Sequence, residues 1–82
     1  MTNSVKYVVA EFAEKAVLRE IARICNEKER AGKFPAFALK IEIRGTSGLS
    51  AGELDAVLDS LEEKGKISRG RTINDDWLTI KT

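Results

Sequence analysis

Between Ser4 and Ala31 the chain has no Gly or Pro. Apolar residues fall at Val5, Val9, Phe12, Ala13, Ala16, Val17, Ile21, Ile24 and Cys25. Steps of three and four trace one stripe of an amphipathic helix, and Leu18 and Ala22 widen it. Gly32 is placed to end that helix, and Lys28, Arg30 and Lys33 suit the negative end of its dipole. The β-branched cluster Val5–Val9 weakens the start, so a late beginning near Ala10, after a strand or arm, is an alternative. A helix of about 28 residues is long for a small domain, so part of its apolar face is expected to pack against a partner chain.

The clearest pattern comes later. Leu54, Val57, Leu58 and Leu61 make one buried stripe. Ser50 and Glu53 form an S-x-x-E capping box ahead of it, with Leu49 placed to staple onto Leu54. Gly65 supplies the left-handed residue that ends the helix, so the element is expected from about Ala51 to Lys64. Lys66–Arg69 then starts a strand that Ile73 continues or returns. Asn74–Asp76 is turn chemistry, and Trp77–Lys81 forms a second strand. Gly70 permits a bulge or an earlier turn. Lys33–Ala36 is extended, because the residue before Pro35 avoids the helical region.

Leu39–Arg44 is ambiguous. Its strict apolar–charged alternation is a strand signal. The same residues support a short helix, with Phe37, Ile41 and Arg44 on one side and Ala38 and Ile41 filling the seam.

Helix, extended piece, short helix, turn, capped helix and β-hairpin is an order that resembles the winged helix-turn-helix superfamily, as found in small bacterial regulators. The resemblance spans roughly Ala16 to Ile80. It is carried by Gly48-Leu49-Ser50 opening the third helix and by Leu58-x-x-Leu61-Glu-Glu-Lys-Gly65-Lys-Ile67 closing it. It implies one α+β domain over residues 1–82: three helices, the first of them long, and a C-terminal hairpin wing. It also favours the helix over the strand at 39–44.

The chain has 82 residues and a net charge of +1 at neutral pH, so it has no bulk attraction for nucleic acid or membrane. A chain of this size buries about 60–65% of its unfolded surface in one modest core. No apolar run approaches a membrane span, the N-terminus lacks a signal-peptide pattern, and the single Cys25 has no disulfide partner within the chain. Together these lead to the expectation of a cytoplasmic protein. Cys25 sits beside Ile21 and Ile24 and reads as a buried small hydrophobe.

In DNA-binding members of the superfamily the third helix enters the major groove. Here the corresponding positions would be Ser50, Ala51, Gly52, Asp55, Ala56 and Asp59, with no Arg, Lys, Asn or Gln to donate to guanine or pair bidentately with adenine. The segment Gly45–Glu63 holds five acidic residues and no basic one, which opposes the phosphate charge of DNA.

Positive charge lies elsewhere, at Lys64, Lys66, Arg69 and Arg71 by the wing and at Lys40 and Arg44 on the second helix. One expectation is therefore a small transcriptional regulator or accessory factor that binds double-stranded DNA mainly through its wing, using Lys66, Arg69, Arg71, Lys40 and Arg44. The alternative is a protein-interaction module without DNA binding, using Glu53, Asp55, Asp59 and Glu62 on the third helix together with the first-helix stripe. Dimerisation through the first helix fits both. Trp77 has two readings: an exposed stacking residue, or an anchor holding the hairpin against the helices. With only five aromatics in the chain, the core is expected to claim it. No His, phosphate loop or metal-spaced Cys is present, and the adjacent Asp75 and Asp76 would point to opposite faces of a strand and make a poor acid/base pair, so neither an enzyme nor a cofactor or metal site is expected.

Overall fold

A computed structural model describes residues 2–71 and 75–81, with side chains described from Phe12 onward. In chain order the elements are α1 (Thr2–Arg30), β1 (Ala38–Leu39), α2 (Lys40–Ser47), α3 (Ala51–Glu63), β2 (Ile67–Arg71) and β3 (Asp76–Ile80). They form an α+β, winged-helix-like arrangement of three helices and a three-stranded antiparallel sheet ordered β1-β3-β2.

α1 is one continuous helix, so the late start near Ala10 does not occur. At about 1.5 Å per residue it spans about 43 Å. That matches the 48 Å long axis of the molecule, whose other dimensions are 24 and 22 Å. Val17, Ile21, Ile24 and Cys25 face the core, whereas Phe12 is 69% exposed and Ala16 is exposed. The sequence stripe thus divides. Its C-terminal half packs on the domain, and its described N-terminal end does not.

α3 follows its local signals. Ser50 Oγ accepts from the Glu53 N–H at 3.2 Å, and Glu53 Oε1 accepts from the Ser50 N–H at 2.9 Å. Leu54, Leu58 and Leu61 are fully buried, with Val57 and Leu49 packed at the margin. Gly65, at φ +73°, lets the Lys66 N–H turn back to the Leu61 carbonyl at 3.0 Å and sends the chain straight into β2.

Residues 39–44 divide between the two expected conformations. Ala38 and Leu39 pair with Leu78 and Trp77 of β3, and the chain turns helical at Lys40. The seam differs from expectation: Ile43 is fully buried and Ile41 is 65% exposed. Two residues apart on a helix means about 200° of rotation, so only one of the two isoleucines can face the core. Ala38 does point inward, but as a strand residue. Phe37 precedes the helix and stacks on Trp77 instead of lining a helix face.

β2 and β3 pair without a bulge, from Ile67 opposite Ile80 to Arg71 opposite Asp76. Gly70 therefore serves a different purpose from the one expected. It lies opposite Trp77, and a Cβ at Gly70 would meet the indole Cε2 and Cζ2 at 2.2 Å. The bare backbone lets the indole lie across the strand, where the Phe37 ring stacks on it at 4.5 Å and 18°. Trp77 is half-buried on the face of β3 opposite the buried Leu78 and lies outside the core cluster, so the core does not claim it as expected; it packs on Phe37 instead. Ile73 and Asn74 lie outside the described residues.

Candidate functional site

Asp55 and Asp59 stand one turn apart on the outer face of α3, and the register of the hairpin brings Arg69 beneath them. Arg69 Nη1 donates to Asp59 Oδ1 at 2.7 Å and Nη2 donates to Asp55 Oδ1 at 3.2 Å. From the neighbouring strand, Asp76 Oδ2 accepts from Nε at 3.0 Å and from Nη2 at 2.8 Å. Lys40, at the start of α2, pairs with the same Asp55 oxygen. The Arg69 side chain is only 13% exposed. A guanidinium this covered, with donors committed to three carboxylates, has little left to offer an external phosphate.

The electrostatics agree. The Asp55 carboxyl is held below its ordinary range, first by the hydrogen bond from Lys40 and then by the nearby charges of Lys40 and Arg69. For Arg69, burial disfavours the charge, but the Asp76 and Asp59 carboxylates outweigh it and raise the pKa. The basic wing and the acidic helix, read from sequence as two opposed surfaces, meet each other within the molecule.

Of the cations assigned to DNA, Arg69 and Lys40 are thus occupied. Arg71 extends outward, 88% exposed, with Asp76 at 3.9 Å. Lys66 and Arg44 are exposed and form no ion pair among the described residues. Of the acids assigned to protein contact, Glu53 is used in the helix cap and Asp55 and Asp59 are paired, while Glu62 is exposed.

Asp76 was missed as a partner because it read as turn chemistry. The signal was in the hairpin register: Arg69 sits opposite Leu78, so Asp76 is its diagonal neighbour on the same face. Lys28 was likewise read only as a helix-end charge. It bolts α1 to the following segment through Glu42 Oε1 at 2.8 Å and the Phe37 carbonyl at 2.6 Å. Lys64 reaches Glu14 of α1 at 2.8 Å.

The Cys25 thiol is buried, which pushes its pKa up, and its Sγ lies 3.8 Å from the Leu78 carbonyl oxygen. Among the described residues no group of His, Cys, Asp or Glu is arranged to hold a metal ion, and no helix is long and apolar enough to cross a membrane. No family model, curated protein or solved structure matches this chain.

Proposed function

We propose that this chain is a winged-helix-like protein-association module that pairs with a second copy through the N-terminal half of α1. The observation that carries this is the division of α1. Among the described side chains its core-facing residues begin at Val17, yet helix continues to Thr2 and carries an exposed Phe12. A helical arm of this length gains little stability from propensity alone and is stabilised by burying an apolar face. The sequence stripe Val5, Val9, Phe12 and Ala16 supplies one. The commitment of Arg69 and Lys40 to internal carboxylates favours this reading over a wing that grips DNA.

Analytical ultracentrifugation over a range of concentrations tests it. The expected result is a dimer mass, converted to monomer by Phe12→Asp with a partial loss of helical circular dichroism from the arm and the cooperative melt of the domain kept. A wild-type monomer at every concentration would refute the proposal.

One observation favours a second reading: Arg71 projects from the wing, and Lys66 and Arg44 are exposed. Duplex binding through these residues would appear in fluorescence anisotropy of a labelled mixed-sequence duplex. It would weaken steeply between about 50 and about 200 mM salt and be lost in Lys66→Glu with Arg71→Glu. Arg69→Glu is a poor reporter here, because it would disturb the hairpin itself.

A further inference from the structure

The exposed Ile41 lies in a shallow groove of about 420 Å³ bordered by Leu39, Lys40, Ile41, Arg44, Ala51 and Asp75. The fold makes little use of this apolar surface: Ile41 is 65% exposed, while Ile43 supplies the core contact of α2. The charges around it are unequal in their commitments. Lys40 is paired with Asp55, and Asp75 accepts the Ile41 N–H at 2.8 Å. Arg44 is exposed and has no ion pair among the described residues. The groove therefore offers an apolar floor with the unpaired Arg44 guanidinium at one edge and the Asp75 carboxylate, tied to the Ile41 N–H, beside it.

We propose that this groove docks a short segment of a partner protein that carries a branched or aromatic apolar side chain close to a carboxylate. Ile41 and Arg44 are three residues apart on one helix, so their Cβ atoms are separated by about 5–6 Å. A matching segment has its apolar and acidic residues one helical turn apart, or two apart in an extended strand, where the spacing is about 6.6 Å. The apolar contact would supply most of the binding, and the carboxylate on Arg44 would set orientation and exclude basic segments. This goes beyond self-association and does not depend on it, because the groove lies on α2 and its neighbours rather than on the α1 arm.

The test is a selection of randomised 12-residue displayed peptides on the full chain, followed by anisotropy titration of labelled enriched peptides. The expected peptides share an apolar residue with a nearby Asp or Glu. Their affinity should fall about tenfold or more in Ile41→Ser and in Arg44→Glu, with both variants keeping the wild-type circular dichroism and melting profile. Selection on Arg44→Glu should replace the acid with Lys or Arg. An absence of enrichment, or peptides that bind Ile41→Ser as well as wild type, would overturn the proposal. So would a face that binds mixed-sequence duplex in wild type and Ile41→Ser but not in Arg44→Glu. Ultracentrifugation on the same preparations separates this outcome from that of the dimer: a monomeric chain with specific peptide binding would leave the groove standing and the α1 arm refuted.

Discussion

Replacing Gly70 by Ala tests how the hairpin is anchored. The added methyl would meet Trp77 Cε2 and Cζ2 at 2.2 Å and Nε1 at 2.5 Å. These are atoms of a rigid ring, so the indole must swing away as a unit. Overpacking of this kind costs about 1–3 kcal/mol. Displacing the indole also forfeits its stack on Phe37, worth about 0.5–1.5 kcal/mol. Against this, Ala restricts the unfolded chain and returns about 0.4–1 kcal/mol.

The net expectation is a loss of about 2 kcal/mol, or about 8–16 °C in melting temperature for a domain of this size. Urea denaturation followed by circular dichroism measures it in two backgrounds, wild type and Trp77→Thr. With the indole gone, Gly70→Ala should become neutral or stabilising. The same loss in both backgrounds would refute the steric reasoning and place the cost in the backbone of β2. No loss in wild type would show that the indole has another resting position of equal energy.

The Arg69 network should matter more than its surface location suggests. Arg69→Met leaves Asp59 without its ion pair, Asp76 with only the distant Arg71, and Asp55 with Lys40 alone. A loss of about 2 kcal/mol in urea denaturation is expected, between the values for exposed and buried ion pairs, and a loss under about 0.5 kcal/mol would show the network to be solvent-screened. Acid should weaken the fold with a definite sign. The folded pKa of Asp55 is depressed, as is that of Glu42, where burial pushes upward but Lys28 and the Leu39 N–H prevail. Their stabilisation is present above the ordinary carboxylate pKa of about 4 and is lost as pH falls through the lower folded values. Melting temperature should hold between about pH 7 and 5 and drop below about 4, and Asp55→Asn should make that drop shallower. Cys25 should react with a thiol reagent slowly in the folded protein and at once in denaturant, and fast native labelling would contradict its burial.

The sequence alone was enough to read α3, because every signal for it is local. The capping pair Ser50 and Glu53, the leucine spacing and Gly65 lie within one short segment and act on the backbone beside them. The C-terminal part of α1 and the two hairpin strands were legible for the same reason. Short range also explains the errors. Alternation at 39–44 contained both a strand residue pairing with β3 and the start of a helix. Which isoleucine turned inward depended on where the period changed from 2 to 3.6.

What the tertiary structure decided was the fate of the charges. Arg69 and Asp55 are 14 residues apart and Lys40 and Asp55 are 15 apart, so no local pattern links them. The crossing of α3 over β2 brought them together, and two surfaces that looked available from the sequence became one internal network. Gly70 followed the same logic, since a loop signal in sequence became a seat for Trp77 once the register set them opposite. Local backbone preference is carried by neighbouring residues. Ion pairing and ring packing depend on which elements meet, and that is settled only when the core closes.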